Sequence, residues 1–233
     1  MAVLPRREPC YTRSMSYEST DLMPHQSRSE KHELSMRGIS LSRGGHPLFS
    51  GISLSIIGGD VVWIGGDNGI GKSSLLRLMT GLSRADDGDI SWTLKDSPCE
   101  AEELIGYQGH QDAFKPALCA AEALNFWADV MNRPQASMAL LDIVGLGTRA
   151  DVPCGQLSAG QKRRLSLARL MLSRKPVWIM DEPSAAMDAE GIELIHNIIS
   201  AHLARGGSAV IASHNPPRIS GIRARQLILK AAS

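Results

Sequence analysis

The octapeptide Gly66-Asp67-Asn68-Gly69-Ile70-Gly71-Lys72-Ser73 constrains this chain more than any other segment. It has the form G-x-x-x-x-G-K-S, follows an apolar run at 61–64, and opens a stretch, 72–80, with helical spacing of apolar residues. Strand, glycine loop and helix in that order make a cradle for phosphate. Glycines let the loop curl until backbone N–H groups converge on phosphate oxygens, and the helix N-terminus adds partial positive charge. In such a cradle Lys72 reaches the β- and γ-phosphates and the Ser73 hydroxyl coordinates Mg²⁺. The expected nucleotide-binding set continues to Ser74.

The rest of the pattern is that of an α/β chain. Apolar runs at 36–41, 52–57, 61–64, 89–94, 177–180, 208–212 and 226–229 read as strands. Helical spacing covers 72–80, 120–131, 136–144, 159–173 and 190–204, with Ile192, Ile195, Ile199 and Leu203 of the last directed to a core. Strands alternating with helices predict a mostly parallel sheet covered on both faces. Residues 1–33 lack periodicity and read as a disordered extension, so the folded domain is expected over 34–233.

The apolar run 177–180 ends in Asp181-Glu182. Open α/β sheets place ligand chemistry at the C-terminal edge of such a strand. Asp181 suits the Mg²⁺ site, and Glu182 suits the base that accepts a proton from, or orients, an attacking water. Pro183 turns the chain away from the strand.

Leu157-Ser158-Ala159-Gly160-Gln161 opens the helix at 159–173, with Ser158 as a good N-cap and small residues leaving the helix N-terminus open to an anion. Between the phosphate loop and the acidic strand, this pentapeptide resembles the signature of the ATP-binding-cassette (ABC) family, with Ala159 in place of the usual glycine. The resemblance covers about residues 34–230. It implies a P-loop NTPase fold with an antiparallel β portion and a small helical subdomain at about 112–160. It also implies ATP hydrolysis with Mg²⁺, and an ATP-dependent homodimer in which the signature residues of one chain cap the nucleotide on the other. By the same resemblance Asp188 fits the D-loop and His214 the switch histidine that contacts the γ-phosphate. Gln111 fits the glutamine that senses Mg²⁺; Gln108 competes, but Gln111 leaves Glu122 and Asn125 close to where the family has a helix reading E-N. Arg43 takes the position of the aromatic residue that usually stacks on adenine, with His46 and Phe49 nearby.

Within the family, Gly-His-Gln at 109–111, Lys115 with the helix after it, and Trp178-Ile179-Met180-Asp181-Glu182-Pro183 look like the haem exporter ATP-binding subunits of cytochrome c maturation. Only about 45 residues separate Gln111 from Leu157, so the helical part is compact. This resemblance implies a peripheral subunit on the cytoplasmic face of a bacterial inner membrane, docked on separate integral membrane subunits. Another compact exporter ATPase, or an iron–sulfur assembly accessory, is the alternative.

Bulk properties agree. Among 233 residues no stretch approaches the roughly 18 apolar residues of a membrane span, so any spanning partner is separate. The net charge of +1 gives no argument for nucleic acid as a partner. The four cysteines have no C-x-x-C spacing and read as free thiols. Lys162-Arg163-Arg164 reads as a solvated helix face, His196 and His202 as exposed, and Phe126 with Trp127 as core.

Overall fold

The computed structural model describes residues 31–133, 137–217, 219 and 224–230. Most of the segment expected to be an irregular extension, residues 1–30, lies outside them.

Two sheets organise the chain. An antiparallel sheet has the order β2-β1-β4-β5, from β1 (His32–Arg43), β2 (His46–Ile57), β4 (Asp87–Leu94) and β5 (Ser97–Pro98). A parallel sheet has the order β6-β7-β8-β3-β9, from β3 (Val61–Gly65), β6 (Ile105–Gln108), β7 (Val177–Asp181), β8 (Ser208–Ala212) and β9 (Arg225–Ile228). β1 begins earlier than the regular pattern from Leu34 suggests, because His32 is buried with its Nε2 3.0 Å from Ser208 Oγ.

β3, β7 and β8 are buried along their whole length, as their unbroken apolar runs require of strands covered on both faces. Successive side chains point to opposite faces and so build two cores. On one face Val62, Ile64, Val177, Ile179, Val210 and Ala212 pack with helix α1 (Lys72–Met79) and with Leu34, Met36, Ile39 and Ile56 of the antiparallel sheet. On the other, Val61, Trp178, Met180, Ala209 and Ile211 pack with the remaining longer helices. These are α3 (Ala120–Val130), α4 (Ser137–Ile143), α5 (Ala159–Ser173) and α6 (Ala189–Leu203). The short α2 (Ala101–Leu104) leads directly into β6.

α1 is too short to persist alone in water. Leu75, Leu76, Leu78 and Met79 are fully buried, each contributing about 1.5–3 kcal/mol, and this burial holds the helix against the sheet. α6 buries Ile195, Ile198, Ile199 and Leu203, while Ile192 is only half-buried.

His202 departs from its expected exposure. It is 3% exposed, its ring stacked on Trp178 at 3.8 Å between centroids, with Nε2 3.1 Å from Pro176 O. Trp178 lies across the sheet face beneath α6, so the histidine completes the core instead of facing water.

Because β3, β7 and β8 are parallel neighbours, their C-terminal ends meet at one sheet edge. The phosphate loop, Asp181-Glu182 and His214 all leave from that edge.

Candidate functional site

The glycines of the loop after β3 have specific backbone tasks. Gly66 sits at φ 137°, and a Cβ there would lie 2.8 Å from Leu229 O. Gly71 caps α1 in the left-handed region at φ 107°, and a Cβ there would press on Phe49 at 3.1 Å. Phe49 is therefore a floor under the loop and not a face for a base.

Lys72 is largely buried. Its Nζ donates to Gly66 O at 2.7 Å and Asp67 O at 3.1 Å, so the ammonium lies folded across the loop. A cleft of about 360 Å³ opens over it. Arg43, Asn68, Gly69, Gly71, Lys72, Ser73 and Ser74 line this cleft from one side, and His110, Asp181, Glu182 and His214 complete it. The sequence-predicted phosphate loop, acidic pair, switch histidine and Arg43 thus share one cavity.

Asp181 is buried, and its Oδ2 has no hydrogen-bond partner among the described residues. An orphaned buried carboxylate oxygen is costly unless a cation or water meets it. Glu182 takes φ 48°, an unusual conformation for a residue with a side chain. Its N–H donates to Ala212 O at 2.8 Å, which joins it to the end of β8. Glu182 Oε1 lies 3.7 Å from His214 Nε2. Trp63 fixes the approach to His214, since its Nε1 donates to Ser213 O at 3.0 Å and Ser213 Oγ at 3.1 Å.

Gln111 is exposed and does not line the cleft; its neighbour His110 does. Gln108, the competitor, is fully buried, and its Nε2 donates to Arg163 O at 3.4 Å, which leaves it inside the core.

The signature pentapeptide forms a reciprocal cap on α5. Ser158 Oγ accepts from Gln161 N at 3.2 Å, and Gln161 Oε1 accepts from Ser158 N at 2.9 Å. Leu157 is buried, whereas Ser158 and Ala159 are exposed, so the extra methyl of Ala159 meets no crowding. Gly160 is tight: a Cβ would lie 2.8 Å from Ala186 O. Asp188 caps α6 by accepting from Gly191 N at 2.8 Å and lies 3.3 Å from Arg164 Nη2. The Gly191 N–H and then Arg164 hold its carboxyl below the usual range. Ser158, Gly160, Gln161 and Asp188 line a second cleft of about 330 Å³, separate from the phosphate cleft.

Two expectations need correction here. Arg163 is not solvated but 4% exposed, because the chain after β6 and the end of β7 close over it. Phe126 is not core but 54% exposed, while Trp127 packs partly buried under Arg169 at 4.9 Å. His110, read from the sequence only as part of Gly-His-Gln at 109–111, lines the cleft, a place that its adjacency to Gln111 alone suggests.

Comparison with known proteins agrees with this geometry. The profile of the ABC transporter family matches residues 49–185. The cytochrome c biogenesis ATP-binding export protein CcmA of Rhodopseudomonas palustris strain BisB18 is 44% identical over 201 residues, 86% of this chain and 99% of that protein. The protein of the same name from Haemophilus influenzae is 40% identical over 191 residues, 79% of this chain and 90% of its own length. Among solved structures, the dimeric bacterial ABC transporter cassette MJ0796 superposes with a TM-score of 0.73 at 21% identity, covering 84% of this chain and 94% of that one. This last likeness concerns the fold. The chain belongs to the ABC transporter family and, within it, to the family of the cytochrome c biogenesis ATP-binding export proteins.

Proposed function

We propose that this chain is the ATP-hydrolysing subunit of an ABC exporter for c-type cytochrome biogenesis. One observation carries the chemistry: Lys72, Ser73, Asp181 and Glu182 open into the same cleft. The relatives named as export proteins over nearly their full length support the biological role.

Gly66, Asp67, Asn68, Gly69, Ile70, Gly71 and Ser74 form the loop that curls around the triphosphate. Lys72 exchanges its loop carbonyls for β- and γ-phosphate oxygens. Arg43 lines the base end of the cleft and stacks by its guanidinium plane. The Ser73 hydroxyl and the orphaned Asp181 Oδ2 would hold a magnesium ion, and Gln111, next to the cleft-lining His110, would be the third residue to serve it. When bound, that ion neutralises phosphate charge. Glu182 orients the attacking water and takes its proton, and His214, beside it, steadies the γ-phosphate.

A second copy of the chain completes the site. Ser158, Gly160, Gln161 and Asp188, with Leu157 and Ala159 beside them in the chain, line a cleft that shares no residue with the phosphate cleft. Two-fold pairing sets each signature over the other's nucleotide.

Among the described residues, no helix is long and apolar enough to cross a membrane. The exposed Phe126 and Val130, one turn apart on α3, supply an apolar ridge for an integral membrane subunit. The subunit is thereby held at the cytoplasmic face of the bacterial inner membrane. Deleting the gene and measuring covalently bound haem in c-type cytochromes tests the role; normal holo-cytochrome in the deletion strain contradicts it. Co-purification with membrane subunits is the expected companion result.

A further inference from the structure

The signature helix carries a buried cation that none of the roles above uses. Arg163 follows the Ser158 cap by little more than one turn, and its guanidinium forks across two other segments. Nη1 donates to Gly109 O at 2.7 Å, Nη2 to Asp181 O, and Nε to Glu182 O at 3.2 Å. Nη1 also lies 3.5 Å from Asp112 Oδ1, and the carbonyl of Arg163 accepts from Gln108 Nε2 at 3.4 Å. A buried charge is costly unless it is paired and hydrogen-bonded, and Arg163 has both: three carbonyls accept from its guanidinium and Asp112 lies within ion-pair distance.

The segments it joins are those that matter for hydrolysis. The chain at 109–112 contains His110, which lines the phosphate cleft, and Gln111. Asp181 and Glu182 hold the carboxylates. The left-handed backbone of Glu182 persists only where its surroundings fix it. Ala212 O fixes its N–H, and Arg163 Nε fixes its carbonyl.

We propose that Arg163 is a positioning residue for hydrolysis: by gripping the carbonyls of Asp181, Glu182 and Gly109 it sets the direction of the Glu182 carboxylate and seats the 109–112 loop against it. The planar fork matters, because three carbonyls in different directions match a guanidinium and not an ammonium. Arg163 does not line the phosphate cleft, so its removal disturbs the chemical step more than ATP capture. The proposal rests on the reading of the cleft as an ATP site.

The test compares wild type with Arg163→Gln, Arg163→Lys and Arg163→Ala in the full chain, measuring Mg·ATP affinity, kcat, KM and thermal midpoint. The expected result for Arg163→Gln is a fall in kcat of about tenfold or more, with KM for ATP within about twofold of wild type. Arg163→Lys recovers only a minor part of this loss. Millimolar guanidinium raises kcat of Arg163→Ala, while ammonium at equal ionic strength does not. A kcat for Arg163→Gln within about twofold of wild type overturns the proposal. So does a parallel fall of kcat, ATP affinity and thermal midpoint, which marks a purely structural residue. If Arg163→Gln does not fold, the split between kcat and KM in Arg163→Lys decides by the same criterion. A folded wild type that lacks Mg-dependent hydrolysis defeats the ATP-site reading itself, an outcome distinct from a variant that hydrolyses normally.

Discussion

Glu182 Oε1 stands 3.7 Å from His214 Nε2 in the lining of the phosphate cleft, joining the ends of two neighbouring parallel strands. Neither residue is near the other in sequence. The pairing of β7 with β8 brings them together, and the Glu182 N–H to Ala212 O bond sets their separation.

Glu182→Gln keeps the size of the side chain but removes the proton acceptor. Hydrolysis is expected to fall by about 10²- to 10⁴-fold, the range for losing a positioned general base. ATP binding survives, so the variant accumulates as an ATP-bound dimer. Size-exclusion chromatography in saturating Mg·ATP checks this; a variant that remains monomeric contradicts the paired arrangement.

Phe126→Glu places a charge on the exposed ridge of α3 without opening a core cavity, since the ring is more than half exposed. The thermal midpoint and ATP hydrolysis of the isolated subunit are expected to stay near wild type, while co-purification with the membrane subunits falls. Unchanged recovery of the membrane subunits removes α3 from the docking surface.

His202 gives the fold a pH dependence of known sign. Burial pushes its pKa down from 6.5 to about 4, and His32 and Arg205 act in the same direction against the hydrogen bonds to Ser208 and Pro176. Between pH 4 and 6.5 the unfolded chain binds this proton and the folded chain does not. Stability from this group is therefore complete above pH 6.5 and declines as pH falls toward 4, by about 3 kcal/mol across the window. His202→Gln is expected to lower the thermal midpoint at neutral pH, through loss of the stack on Trp178, and to flatten its slope between pH 6.5 and 4. An unaltered slope shows that His202 does not titrate this way.

The legible parts of the sequence were those in which local pattern and chemistry coincide. The phosphate loop needs its glycines in order, β7 and β8 need unbroken apolar runs, and Ser158 marks the start of a helix. β6 was hidden because it is four residues long and contains Gly106. That glycine records close packing: a Cβ there would lie 2.7 Å from Ser173 Oγ and 2.8 Å from Leu170 Cδ1 of α5. Arg163 was hidden for a related reason. Three consecutive cations read as a wet helix face, and only tertiary closure of the 109–112 loop shows that the middle one is buried. His202 likewise depends on Trp178, a neighbour that helical spacing cannot reveal.

The account depends on Lys72 and its loop holding the triphosphate, and isothermal titration of Mg·ATP into wild type and Lys72→Ala tests this most directly. Saturable, magnesium-dependent binding is expected for wild type, weakened by about 10- to 100-fold in Lys72→Ala as charge-assisted hydrogen bonds are lost. Folded wild type without such binding, or a Lys72→Ala variant of undiminished affinity, contradicts it.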